Sequence, residues 1–197
     1  MEKQLIISVG REFGSGGHAI AEMLANDLGI KLYDRNMLDE IAKEKNVDAA
    51  SFDSFDEKPK KTLFSRRVRE FSSSMEENLA NLQFEYIRKK ADSGESFVIV
   101  GRCAENVLKD REGMISIFIL GDKAEKQKRV MEKYNLSADE ALFKMLRHDK
   151  NRKHYHNSYS SGKWGDSRSY DLCINSSRLG LEETKEIIKE YILKKIK

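Results

Sequence analysis

Short apolar runs alternate with amphipathic helical patterns along this chain. Five mainly apolar runs have the length of buried strands, and they lie at 5–9, 30–33, 97–100, 115–120 and 170–174. Apolar residues recur at helical spacing in three further stretches, at 19–28, from about 34 onward and from 181 to the end. Such strands, separated by helices, are typical of a parallel sheet covered on both faces. We therefore expect an α/β fold that binds ligands at the carboxyl ends of its strands.

A long helical pattern follows Pro59 and departs from this alternation. Its apolar residues step by four and three, and they are Phe64, Val68, Phe71, Met75, Leu79, Leu82 and Tyr86. The spacing predicts a helical insert over about 59–92 with one apolar stripe. The stripe packs on the protein's own domain in one interpretation and forms a homodimer seam in the other.

A second segment, 147–168, has little apolar content and is rich in Arg, Lys, His, Tyr, Ser and Gly. This composition predicts an exposed, mobile segment or, in functional terms, a lid over about 145–168. Its three histidines, His148, His154 and His156, have no paired carboxylate at metal-ligand spacing. We interpret them as surface residues.

A glycine-rich turn runs from Gly10 to His18, between the first strand and the first helix. Glycines allow consecutive backbone N–H groups to converge, and a helix N-terminus adds partial positive charge, so this context suits a phosphate group. In the strict phosphate-loop pattern G-x-x-x-x-G-K-[ST], aligning Gly14-Ser15-Gly16 with the usual Gly-x-Gly puts Gly17 at the lysine and His18 at the Ser/Thr position. The sequence therefore predicts a phosphate cradle without its lysine, and the alternative is a glycine turn that holds no ligand.

Composition narrows the class of protein further. The net charge is only +3 on a chain with 35% charged residues, so any phosphate affinity must come from local clustering. No apolar run approaches the roughly 20 residues that cross a bilayer, and the N-terminal run predicts a strand rather than a signal peptide. The two cysteines, Cys103 and Cys173, match no metal spacing, which indicates reduced thiols in a cytoplasmic protein without membrane partners.

The order of motifs resembles that of one family. After the glycine turn come Tyr33-Asp34-Arg35, then Gly101-Arg102 behind the third strand, then Arg-x-Asp-x-x-Arg at 147–152, and finally the apolar run ending at Asn175. Over essentially its whole length the chain resembles the cytidylate kinase-like family. The resemblance implies one nucleotide-kinase domain over 1–197, with a three-layer parallel sheet of the P-loop NTPase type, a helical insert and a lid.

The resemblance also implies roles for individual residues. The donor phosphates would be surrounded by Arg11, Gly14, Ser15, Gly16, Gly17 and His18. On the acceptor side, Asp34 and Arg35 would lie at the mouth of the site, and Arg102 would grip the acceptor phosphate through its guanidinium. The catalytic residues would be Arg147 and Arg152 of the lid, which would close over the transferring phosphoryl group, while Asp149 would orient them or the acceptor sugar.

Each role has a plainer alternative. Asp34 would simply cap the following helix, Arg35 would be a solvated residue at its start, and the lid residues would form a surface charge cluster. Besides the missing lysine, three sites that read the acceptor nucleotide depart from the family pattern. Cys103 replaces an aspartate, Arg35-Asn36 replaces a Ser/Thr-Gly pair, and Glu40 replaces an arginine.

The expected activity is transfer of the γ-phosphoryl group of ATP, with Mg²⁺, to a small acceptor such as a nucleoside monophosphate. Ser15 or a nearby carboxylate would be the protein contacts of the metal, and no dedicated metal site is expected. The alternative is a phosphate-binding module that lost catalysis with its lysine. Nucleic-acid binding is not favoured, since the basic run at 58–69 is more simply the solvated face of the long helix. The missing cation would come from Arg11, Arg147 or Arg152, and we favour the two lid arginines because they arrive on closure.

Overall fold

The structure, a computed structural model, describes residues 4–34, 36–45 and 75–196, which form a five-stranded sheet flanked by helices. The strands are β1 (Ile6–Arg11), β2 (Lys31–Tyr33), β3 (Phe97–Val100), β4 (Met114–Leu120) and β5 (Leu172–Asn175). The helices are α1 (Gly17–Leu28), α2 (Asn36–Lys45), α3 (Met75–Asp92), α4 (Ala104–Val107), α5 (Lys123–Tyr134), α6 (Ala138–Tyr159) and α7 (Ser176–Lys195). All five predicted strands are present, with ends that shift by no more than two residues.

The sheet is parallel throughout and has the strand order β2-β3-β1-β4-β5. β1 lies at its centre, where Ile7 pairs with Val98 of β3 on one side and Ile115 of β4 on the other. The chain leaves the carboxyl end of β1 at Arg11, so the glycine-rich turn opens at the middle of that edge. In open α/β sheets, ligands bind at this edge, beside the carboxyl ends of the strands.

Both faces of the sheet are buried, which explains why its strands are apolar throughout. Ile7 and Val9 point to the face covered by α1 and α7, while Ile6 points to the face covered by α2, α3 and α4. Successive side chains of a strand point to opposite faces, so each strand contributes to two cores. The expected three-layer architecture is therefore present.

Helix α3 uses its apolar stripe inside this domain. Leu79 and Tyr86 are buried in the core beside β3 and α2, with 5% and 6% of their surface exposed. This is the first of the two interpretations of the stripe. The part of the predicted insert at 59–74 lies outside the described residues.

Helix α6 corrects the prediction of an exposed segment from 147 onward. It runs without interruption to Tyr159 and begins with a capping box, in which Ser137 and Glu140 bond each other's backbone N–H groups. Tyr155 and His156 are buried against neighbouring elements, with 6% and 5% exposed. Within the part of the chain that the structure describes, no helix combines the length and apolar content needed to cross a membrane.

Candidate functional site

A cleft of about 850 Å³ opens at the carboxyl ends of the central strands. Its walls come from the glycine turn, α1, the ends of β2 and β3, and helices α5 and α6. Of the residues given a role in the predicted site, those that line it are Arg11, Gly14, Gly16, Gly17, His18, Asp34, Arg102 and Arg152, and His148, predicted to lie on the surface, lines it as well. The tertiary structure thus brings most of the predicted donor and acceptor residues to one cavity.

The glycine turn has the backbone geometry of a phosphate cradle. Gly14 and Gly16 adopt left-handed conformations, with φ of 84° and 80°, and Gly16 is the N-cap of α1. The first N–H groups of a helix have no acceptor within that helix, so they and the helix dipole favour an anion. Glu12 fixes the turn to the end of β4, because its Oε2 accepts from Gly121 N at 3.0 Å and Lys126 Nζ at 2.7 Å.

Ser15 is placed differently from the expectation. Its side chain is buried, and its hydroxyl donates to the carbonyl oxygen of Glu12 at 2.9 Å. Its own carbonyl accepts from the Ser176 hydroxyl at 2.5 Å. Ser15 therefore stabilises the turn from inside and does not line the cleft, which argues against it as a metal contact.

On the acceptor side, Asp34 at the end of β2 meets His18 at the start of α1. Oδ2 of Asp34 lies 2.7 Å from Nε2 of His18, and Oδ1 accepts from the Asn36 amide at 2.9 Å. Burial opposes ionisation of Asp34, but the bonds from Asn36 and His18 and the charge of Arg102 lower its pKa below the usual value. Asp34 therefore both caps the start of α2 and presents a carboxylate to the cleft.

A smaller cavity of about 30 Å³ adjoins the cleft and is also lined by Arg11, Arg102 and Arg152. Arg102 follows β3 in a left-handed conformation with φ of 62° and is only 4% exposed. Arg102 lines both cavities although the residue is buried. Three guanidinium groups around so small a space favour an oxyanion such as a phosphate.

Helix α6 contacts the glycine turn directly through residues of the predicted lid. Oδ1 of Asp149 accepts from the Phe13 amide at 2.7 Å, and Nη1 of Arg152 donates to the Arg11 carbonyl at 3.4 Å. The ring of His148 stacks on that of Phe13, with centroids 4.3 Å apart. Burial raises the pKa of Asp149 despite the Phe13 bond and the nearby Arg152 charge.

Two of the predicted residues are not part of this arrangement. Arg147 is exposed and lines neither cavity, so only Arg152 remains as a cleft-facing arginine of the pair. Arg35 lies outside the described residues.

The interpretation of His156 as a surface residue is wrong. Its Nε2 lies 2.7 Å from Oε1 of Glu105, and both side chains are more than nine-tenths buried. Oε2 of Glu105 accepts from the Ser8 hydroxyl at 3.1 Å, so the pair joins α6 and α4 to the central strand. Both residues line the small cavity. By contrast His154 is exposed, as expected.

Basic residues of α5 and α6 complete the cleft, and sequence reasoning missed them. Arg129 donates from Nη1 to the Gly14 carbonyl at 3.3 Å, and Lys133 and Lys144 line the same wall. They belong to no motif, and on a charged helix they look like solvated residues. Among the described residues, no three His, Cys, Asp or Glu side chains are grouped so as to hold a metal ion.

A parallel sheet in this strand order, with a glycine turn after its central strand, defines a P-loop kinase fold. Two shikimate kinases share it at low sequence identity. The enzyme of Bacteroides thetaiotaomicron is 12% identical, with a TM-score of 0.56 over 95% of this chain and 98% of its own. The enzyme of Acinetobacter baumannii, solved with shikimate, is 13% identical, with a TM-score of 0.54 over 98% and 95%.

The chain belongs to the cytidylate kinase-like family, whose model matches residues 6–178. It is 26% identical over 191 residues to the cytidylate kinase of Methanococcus vannielii, covering 95% of this chain and 99% of that protein. The crystal structure of an uncharacterized protein from Eubacterium ventriosum is 44% identical, with a TM-score of 0.77 over 96% and 98%. The expected family and fold are confirmed, and both are those of kinases.

Proposed function

We propose that this protein transfers the γ-phosphoryl group of ATP to a small phosphorylated acceptor, and that the acceptor is a nucleoside monophosphate. The observation that carries the proposal is that the glycine turn and Arg102 line one cleft. A donor phosphate at the turn and an acceptor phosphate at Arg102 would then share a single cavity. Its volume of about 850 Å³ is in the range of nucleotide-sized sites.

The donor side fits the triphosphate of ATP. Gly14 and Gly16, both with left-handed backbone, line the cleft beside the N-terminus of α1, where phosphate oxygens could reach backbone N–H groups. Arg129, Lys133 and Lys144 add positive charge along the same wall. Bound Mg²⁺ would neutralise part of the phosphate charge, held mainly by phosphate oxygens and water, with a cleft carboxylate such as Asp34 as the candidate protein contact.

The acceptor side fits a phosphate monoester. Arg102 and Arg152 approach from two different elements, β3 and α6, so they can hold a phosphate from two directions. A nucleoside monophosphate is favoured because the curated relative from Methanococcus vannielii is named a cytidylate kinase. Cytosine is not favoured over other bases, because Glu40 stands where the family pattern has an arginine that reads the acceptor nucleotide. Its carboxylate instead accepts from Lys31 at 2.8 Å and from Tyr86 at 2.5 Å.

Catalysis in this proposal requires no covalent intermediate. Phosphoryl transfer depends on alignment of donor and acceptor and on neutralising charge in a site that excludes water. The turn would hold the donor, Arg102 the acceptor, and Arg152 the group in transit. The tether from Asp149 to the Phe13 amide would keep Arg152 beside the turn.

The proposal is tested by coupled ADP release across a panel of nucleoside monophosphates and other phosphorylated or hydroxyl acceptors, with the product identified by mass. We expect ADP release that depends on one acceptor class. Arg102→Ala should raise the acceptor KM at least tenfold, whereas Arg88→Ala, an exposed arginine on α3, should change nothing. ATP binding without transfer to any acceptor would refute the kinase and favour a phosphate-binding module, the alternative that the missing lysine at Gly17 supports.

A further inference from the structure

The side chain of Arg11 occupies the space that a lysine of the phosphate turn would need. A Cβ atom added to Gly17 in ideal geometry would lie 2.6 Å from Cβ and 3.2 Å from Cγ of Arg11. The next neighbour, Cβ of Ile119, would be at an ordinary 3.4 Å. Gly17 does not have a positive φ, so its backbone alone would accept a side chain. Arg11 is therefore what requires glycine at this position.

The other end of the same side chain lies beside a second glycine. A Cβ atom on Gly101, directly after β3, would overlap Nη1 of Arg11, but that atom is the far end of a flexible side chain and can move. Glycine is favoured at this position by its own φ of 78°. Gly101 directly precedes Arg102. The Arg11 side chain thus extends from Gly17 in the turn to Gly101, which adjoins Arg102 in the chain.

Arg11 is also rigidly placed. It is the last residue of the central strand, where it pairs with Ile119 of β4, and its carbonyl accepts from Arg152 Nη1 at 3.4 Å. Arg11 lines both the cleft and the small cavity, as do Arg102 and Arg152. The nearby Lys126 does not substitute for it, because Lys126 is buried, pairs with Glu12 and lines neither cavity.

We propose that Arg11 supplies the cation that a P-loop lysine supplies elsewhere, and that Gly17 is a glycine because Arg11 replaced that lysine. The inference rests on the proposed phosphotransferase function. A lysine at position 17 would contact the β- and γ-phosphates. Arg11 passes that position and reaches Gly101, so its guanidinium would lie between a donor phosphate at the turn and an acceptor phosphate at Arg102. This assignment differs from the sequence-based preference for the lid arginines, since Arg11 is fixed on β1.

A reciprocal exchange of the two residues tests the inference. Arg11→Gly should lower kcat at least a hundredfold. Gly17→Lys alone should also inactivate the protein and lower its Tm, because the new side chain overlaps Arg11. The double variant Arg11→Gly/Gly17→Lys should have a kcat at least tenfold higher than that of Arg11→Gly. Glycine rather than alanine is needed at position 11, because the nearest overlap is with Cβ of Arg11. Arg88→Ala serves as the matched control.

A binding measurement keeps the test independent of turnover. The protein has a single tryptophan, Trp164, which lines the small cavity, so tryptophan fluorescence can follow nucleotide binding. Isothermal calorimetry provides a second measurement of the same affinities. Arg11→Gly should reduce the preference for ATP over ADP about tenfold, and the double variant should restore it. Arg11→Gly with wild-type kcat and wild-type ATP preference would overturn the inference while leaving the kinase standing. A wild-type protein that transfers nothing would refute the kinase, while the nucleotide preference would still test Arg11.

Discussion

The backbone N–H of Phe13 donates a 2.7 Å hydrogen bond to Oδ1 of Asp149. This bond joins the glycine turn to α6 across 136 positions of sequence, and it lies one helical turn from Arg152, whose Nη1 is 4.0 Å from the same carboxylate oxygen. Asp149 therefore acts as a tether between the glycine turn and the helix that carries Arg152.

Removal of this tether should destabilise the protein. Asp149→Ala leaves the Phe13 amide without its acceptor, which costs about 1–3 kcal/mol of unfolding free energy. Asp149→Asn retains an oxygen acceptor, so it should stay within about 1 kcal/mol of wild type. Urea denaturation of the three proteins measures the difference, and equal stability of the alanine and asparagine variants would contradict the tether.

The same carboxylate should make stability depend on pH. Burial raises the pKa of Asp149 above its usual value of 3.8, so the folded state binds this proton more tightly than the unfolded state. The contribution of Asp149 to the unfolding free energy is therefore greatest below pH 3.8 and falls as the pH rises through the raised pKa. The unfolding free energy of wild type minus that of Asp149→Asn, measured from pH 3 upward, should decrease with pH. If this difference in unfolding free energy instead increased with pH, the pKa of Asp149 would be lowered rather than raised by folding.

The buried pair of Glu105 and His156 should be strongly coupled. Because both side chains are more than nine-tenths buried, His156→Ala leaves a buried carboxylate without its partner and should cost about 3–5 kcal/mol. A double-mutant cycle with Glu105→Gln should show that the two losses are not additive. His154→Ala, an exposed histidine on the same helix, should change stability by less than about 0.5 kcal/mol. Additive losses would mean that the two residues act separately.

The two lid arginines should differ sharply in kinetics. Arg152 lines both cavities, so Arg152→Ala should lower kcat at least a hundredfold, equivalent to about 2.7 kcal/mol of transition-state stabilisation. Arg147 is exposed and lines neither, so Arg147→Ala should change kcat less than threefold. Steady-state kinetics at saturating ATP compares them, and an Arg147 defect as large as that of Arg152 would show that α6 moves during turnover.

The contrast between these arginines illustrates what a motif does not specify. Arg147 and Arg152 are five positions apart, which places them about 140° apart around an α-helix. Both cannot face the cleft once the segment is helical. Asp149 and Arg152, three positions apart, share a face and reach the turn together. The sequence did not predict the conformation of this segment, because its buried residues, Tyr155 and His156, are polar at their tips and bond to residues of α3 and α4 that are distant in sequence.

The sequence by itself determined the five strands, the glycine turn between β1 and α1, and the position of Arg102 at the end of β3. Those features are local, since a run of apolar residues or a set of glycines has the same meaning wherever the chain folds. The absence of a lysine at Gly17 was also evident from sequence. Only the tertiary structure showed that the side chain of Arg11 occupies the space beside Gly17 and extends to Gly101, which is ninety positions away and directly follows a neighbouring strand. A steric exchange of this kind depends on which strands are adjacent, and the parallel pairing of β1 with β3 decides it.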